Sequence, residues 1–212
     1  LGIPIIWTVL GTDFPAIEGG FDFGRAAGWV LHPAVLAGAA ALFCYISLEA
    51  TLAGFLTTYL TDHEIETTKA TNLLALFWIC LLVARLLTAF LVPDAVFAYY
   101  VPVLALVAAG ALMLMVVART ATAAVVAMLL TGLALGPIFP TVVGVTFGKT
   151  GVNAEVFGLI FAFGLLGGIV TPRVMGGFSA SGQIRKGMQV LAALAVALIA
   201  ISAVLSFAIP DL

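Results

Sequence analysis

Charge is what this sequence lacks. Only 8% of its 212 residues are Asp, Glu, Lys or Arg, and ten acids against eight bases leave a net charge of −2. A soluble domain is roughly 25% charged, so a surface wetted on all sides is excluded. So small a net charge gives no electrostatic footprint for nucleic acid. Cysteine is scarce as well. Cys44 and Cys80 both lie in apolar runs, and neither has a second Cys or His at ligand spacing, which excludes a disulfide framework and a metal site. The histidines are two, His32 and His63, and neither sits at bilayer depth. There is no H-E-x-x-H, no G-x-S-x-G elbow and no P-loop. Proteolysis inside the membrane and ATP hydrolysis have no residues to carry them, so the sequence predicts no enzyme, no metal and no cofactor.

What is present is apolar. Hydrophobic residues make up 64% of the chain and the mean hydropathy is +1.27. β-Barrels alternate apolar and polar residues in short segments. Here the apolar runs are long and unbroken, so the chain reads as an all-α membrane protein in the lipid bilayer. Six runs, at about 33–60, 70–92, 97–118, 121–147, 156–178 and 188–209, each approach the roughly 20 residues that a 30 Å hydrocarbon core requires. The loops are short, which predicts sequential helices packed as antiparallel neighbours. Two triplets of spans would be related by inversion, because an odd number of crossings flips the second triplet. Residues 33–212 thus form a six-helix transmembrane domain. The run 1–11 is too short to cross and reads as the end of a preceding transmembrane helix. Residues 12–32 read as a loop, with a short interfacial helix at 26–31 and Trp29 at headgroup level. The chain is expected to be a fragment of a longer protein.

Near the middle of the first span sits one acid, Glu49. A carboxylate at bilayer depth costs about 2.5–3.5 kcal/mol on insertion scales, and such residues usually face the bundle interior and mark function. Tyr45 lies four residues earlier and can share its face. Arg85 lies inside the second span, where it either snorkels to the interface or forms a salt bridge within the bundle. Arg173 is expected to snorkel, and His32 and His63, at segment edges, are expected to be solvated. The fourth span has a stripe of small residues and proline at four-residue spacing, Gly132, Gly136, Pro140, Gly144 and Gly148. Such a face lets another backbone approach closely, and Pro137 and Pro140 remove two backbone donors. The fifth span repeats the theme with Gly164, Gly168, Pro172, Gly176 and Gly177. Interrupted helices in one half point to a transporter whose broken spans build the substrate site. Pro137, Pro140, Pro172, Gly136 and Gly168 are the candidate bending or gating residues, with Arg85 a structural charge.

In series these stretches resemble one family. FCYISLEATLAGFLTTYL (43–60) is similar to the seventh helix of fucose-permease-like sugar transporters of the major facilitator superfamily, through Phe43, Tyr45, Glu49, Phe55 and Tyr59-Leu60. ARLLTAFL (84–91) resembles the glycine-arginine pattern of the eighth helix, with Ala84 in place of the glycine. TGLALGPIFPTVVGV (131–145) resembles the tenth, and GLLGGIVTPRVMGGF (164–178) the eleventh. The resemblance implies the C-terminal six-helix half of a twelve-helix transporter, one half of a 3+3 inverted-repeat fold. Residues 1–11 would then be the tail of helix six and 12–32 the central cytoplasmic loop. It implies a small solute, commonly a sugar moved by proton symport, held at the midplane between two halves in the inner (plasma) membrane. The missing N-terminal half is the implied partner. On this reading the substrate-binding or proton-coupling residues are Glu49, Tyr45, Tyr59, Phe139 and Thr141. The family's best-known coupling acids lie in the absent half, so coupling at Glu49 is a hypothesis of its own. The resemblance places Lys69, Arg119, Arg185 and Lys186 outside, whereas the positive-inside rule places them inside. The competing expectation is a non-transporting six-helix subunit or channel that assembles through its glycine faces. A pore needs a polar lining, which 97–118 and 188–209 do not offer.

Overall fold

The computed structural model describes residues 21–93 and 96–210. The segment 1–11, Asp94 and the first part of the loop at 12–32 lie outside the described residues. Among these, all regular structure is helical: α1 (Phe23–Trp29), α2 (Pro33–Thr61), α3 (Thr67–Leu91), α4 (Phe97–Val117), α5 (Ala121–Leu135), α6 (Ile138–Thr150), α7 (Ala154–Ala180) and α8 (Ile184–Ala203), which runs on into a π-helical turn at Val204–Ala208. α5 and α6 together make one crossing, so six helices are long and apolar enough to span a membrane.

Local chemistry sets the ends. The Asp22 carboxylate accepts from the Gly24 and Arg25 N–H groups at the start of α1. The backbone donor of Arg25, then that of Gly24, holds this carboxyl below its usual range. His32 Nδ1 accepts from Ala34 N–H at 3.3 Å ahead of α2, whose first residue is Pro33, a position where the missing N–H is no loss. Asn153 caps α7 through Val156 N–H at 2.7 Å. Gly151 and Gly182 take the positive φ that turns the chain after α6 and α7. α3 and α8 begin three to four residues before the expected starts at 70 and 188, because their first turns are polar and hydropathy sees only the apolar part that follows.

Packing departs from the expectation of sequential neighbours. α2 packs most extensively on α7, and α4 on α8. α3 packs on α5, α2 also meets α8 and α6, and α4 meets α5 and α6. The consecutive pair α3 and α4 scarcely touch, apart from a 3.0 Å hydrogen bond between the Thr88 and Tyr100 hydroxyls. A short loop fixes the direction of the next helix, but the close-packing faces choose its partner. Exchanging the triplet α2, α3, α4 with α5–α6, α7, α8 turns the α2–α7 contact into α3–α5 and the α2–α8 contact into that of α4 with α5–α6. It leaves α4–α8 unchanged. The contacts therefore carry the inverted repeat of two three-helix units. α2 is the central span, 72% buried over its most apolar window, against 17% for α3 and 33% for α7.

α1 lies on α7. Ala26 is buried, the Phe21 ring occupies the space beside Gly158, and Arg25 Nη2 lies 3.0 Å from Glu155 Oε1. The described part of the 12–32 stretch is thus a docked helix as well as a connection.

Candidate functional site

The site is built from a proline. In a helix the carbonyl of residue i accepts from the N–H of residue i+4. Residue 140 is proline and has no N–H, so the Gly136 carbonyl at the α5–α6 break has no helical donor. Arg85, from α3, fills the vacancy: its Nε donates to the Gly136 carbonyl at 3.0 Å. The Nη2 of the same guanidinium donates to the Tyr45 hydroxyl at 3.0 Å and lies 3.8 Å from Glu49 Oε1. The Tyr45 hydroxyl that accepts from Arg85 is carried one helical turn before Glu49, on the same face of α2. One guanidinium thus joins α2, α3 and the α5–α6 break. Gly136 is also what lets Arg85 reach so far, because a Cβ there would run into the Leu81 carbonyl of α3.

Aromatic rings extend this polar centre. The Tyr45 ring lies 6.0 Å from that of Phe139, and Phe139 meets Phe161 of α7 edge-on at 6.0 Å. Phe161 stacks on Phe157 at 5.6 Å with 9° between the rings. The series runs from Tyr45, which is buried, to Phe157, which is exposed. The Glu49 and Arg85 side chains are 22% and 37% exposed, so the charged pair opens onto a face rather than lying in a sealed core.

Several expected positions meet here: Tyr45, Glu49, Arg85, Gly136, Pro140 and Phe139. Arg85 turns inward and does not snorkel. Others go elsewhere. Tyr59 is ten residues beyond Glu49, about 15 Å along the helix, and its hydroxyl donates to the Met115 carbonyl at 2.6 Å. The Thr141 hydroxyl turns back onto the Pro137 carbonyl at 2.7 Å. Pro137 lies at the break between α5 and α6. Pro172, by contrast, sits inside an α7 that continues to Ala180. Gly168 packs on Ile46 of α2, and its neighbour Gly167, which the sequence reading passed over, faces the Phe43 carbonyl and Ser47. In the small-residue stripe, Gly132 faces Phe77 and Gly144 faces Phe97, while Gly148 faces open space. Phe157 and Phe161 were also missed, although their spacing of four puts both on one helical face.

Tyr59 belongs to a different cluster. His63, expected to be solvated, has Nδ1 2.9 Å from the Tyr59 carbonyl and Nε2 3.2 Å from the Ala118 carbonyl. Arg185 Nη2 also donates to Ala118, at 2.9 Å. Together these groups cover the carbonyls that α4 leaves open at its C-terminus. An open cavity of about 800 Å³ at this end is lined by Tyr59, Asp62, His63, Arg119 and Arg185 and does not include Glu49. Tyr59→Phe is expected to remove about 1 kcal/mol of stability and to lower Tm by roughly 2–4 °C. Thermal unfolding of the variant beside the native protein checks this, and an unchanged Tm would show that the bond to Met115 does not hold the helices together. Among the described residues no three of His, Cys, Asp or Glu converge as metal ligands.

A bundle of two inverted three-helix units, with a mid-span polar centre at a broken helix, is the architecture of one half of a major facilitator fold. The comparison with solved structures agrees. The chain superposes on the major facilitator superfamily transporter FucP in its outward conformation with a TM-score of 0.76 and 18% identity, covering 96% of this chain and 52% of that one. A second structure, of the E. coli fucose:proton symporter FucP, gives the same values. The chain therefore spans about half the length of the transporter whose fold it shares. Comparison of the sequence with family models and with curated proteins finds no match.

Proposed function

We propose that this chain is one half of a secondary transporter, in a cell's inner (plasma) membrane, that moves a small neutral polyhydroxylated solute, a sugar, by proton symport and alternating access. The observation that carries the proposal is the convergence of Glu49, Arg85 and Tyr45 beside a row of aromatic rings, at mid-span, on a partly exposed face. A carboxylate and a guanidinium that offset each other leave little net charge, which suits a neutral solute. Sugar hydroxyls can donate to Glu49 and accept from Arg85, while the apolar face of a sugar ring lies against Phe139 or Phe161. Half a transporter presents half a site, and the missing six-helix half would close it. The break at Gly136 and Pro137 gives the fourth span a place to bend, and Gly168 and Pro172 mark the second such candidate in the fifth.

The reading is tested on the full-length protein in liposomes. Labelled L-fucose and a panel of other neutral monosaccharides should accumulate when the uptake side is acidified, and an uncoupler should release them. Uptake of charged solutes alone, or sugar uptake indifferent to the proton gradient, would overturn the corresponding part of the proposal.

A further inference from the structure

We infer that Arg85 is a proton-controlled tether on the fourth span: while Glu49 is ionised the guanidinium is held across α2, α3 and the Gly136 carbonyl, and protonation of Glu49 releases it so that the α5–α6 junction can bend. This rests on the transport reading for its purpose, though its geometry stands without a substrate. Pro140 ensures that no helical N–H can replace Arg85 at the Gly136 carbonyl. Pro137 withholds the next donor back, from the Leu133 carbonyl. The backbone at the junction keeps Gly136 N–H on the Gly132 carbonyl at 3.1 Å and Thr141 N–H on the Pro137 carbonyl at 3.2 Å. Across the junction, Arg85 supplies the bond to a neighbouring helix.

The guanidinium suits this task because it stays protonated and presents several donors in a rigid fork. An arriving proton therefore adds to a Glu49 oxygen, and no other covalent bond changes. What is lost is the attraction that holds Nη2 near Oε1, and with it the orientation that aims Nε at Gly136. The groups that face Glu49 are Tyr45 from its own helix and Arg85 from α3. Of the remaining charges on the helices packed against α2, Lys69 on α3, Lys149 on α6, Glu155 on α7, and Arg185 and Lys186 on α8 lie toward helix ends. Arg173 of α7 lies at the depth of Glu49, since the Thr171–Ser47 hydrogen bond sits two residues before each, but its side chain is exposed. Among the described residues, Arg85 is the charge within ion-pair distance of Glu49.

The test reads the separation of α3 and α6 directly. Spin labels are placed in the full-length protein at Phe90→Cys and Gly148→Cys, both exposed and at the same end of the bundle, with Cys44 and Cys80 replaced by Ala. The otherwise native protein at neutral pH should give one narrow distance distribution. Glu49→Gln, which mimics the protonated acid, should shift or broaden it by several ångströms, and Arg85→Gln should do the same. Adding Glu49→Gln to Arg85→Gln should then change nothing further. Arg85→Lys keeps the charge near Glu49 but cannot also reach Gly136, so it should resemble Arg85→Gln, and it carries the comparison if the glutamine variant does not fold. An unchanged distribution in Glu49→Gln, additive shifts in the double variant, or a native distribution in Arg85→Lys would each overturn the tether. No solute is needed, so failure of sugar uptake would count against the transport reading while leaving this result to stand or fall separately.

Discussion

Glu49→Gln is expected to abolish proton-driven accumulation while leaving solute exchange largely intact. The largest expected functional effect falls here because Glu49 is the acid at mid-span and its carboxylate is partly exposed beside Arg85. At one proton per solute, a gradient of one pH unit supplies about 1.4 kcal/mol, or roughly tenfold accumulation. The wild-type protein should approach that ratio and the variant should stay near one. Exchange of labelled for unlabelled solute at equal pH requires binding and the conformational cycle but no net proton movement. The glutamine keeps the shape of the acid and a carbonyl oxygen to which a solute hydroxyl can donate, so binding should survive within a few-fold. Loss of exchange together with accumulation would assign Glu49 to binding or folding, and unchanged accumulation would remove it from both roles. The variant also leaves Arg85 without its counter-charge. Partial exposure of the guanidinium limits that cost, and a thermal unfolding curve on the same sample separates it from the transport effect.

The sequence shows depth better than it shows partners. Apolar runs placed all six spans, with ends displaced by up to four residues where the first turns of α3 and α8 are polar. Glu49 and Tyr45 were legible as a pair because four residues is one helical turn and both are polar in an apolar run. The destination of Arg85 was not legible. Its acceptor at Gly136 is created by the proline at 140, and a sequence displays the proline without showing which side chain comes to the exposed carbonyl. Tyr59 shows the opposite case. A family-like pattern grouped it with Glu49, whereas ten residues of helical rise already put it about 15 Å away. The glycine faces of the fourth and fifth spans were visible as faces. That one meets α3 and the other α2 is decided by which surfaces fit, and loop length says nothing about that.

The glycine seam between α2 and α7 gives the second large effect, this one on stability. At Gly167 an added Cβ would meet the Phe43 carbonyl and the Ser47 hydroxyl oxygen. A side chain could rotate aside, but a carbonyl within α2 cannot, so in Gly167→Ala the two helices must separate. Separation strains the 2.9 Å hydrogen bond from the Thr171 hydroxyl to Ser47 and loosens Gly164 from Leu42 and Ile46. Overpacking of this kind costs about 1–3 kcal/mol, which for a chain of this length lowers Tm by roughly 2–12 °C. Gly177→Ala is the matched control on the same helix, because nothing lies within 4 Å of its added Cβ. There the gain in helix propensity should leave Tm unchanged or raise it by a few degrees, reflecting about 0.5–1 kcal/mol. Equal Tm values for the two variants would show that the seam tolerates separation. The same movement reaches the site: Phe161 rides on α7 and Tyr45 on α2, joined through Phe139. Gly167→Ala should therefore weaken solute binding along with stability, whereas Gly177→Ala should weaken neither.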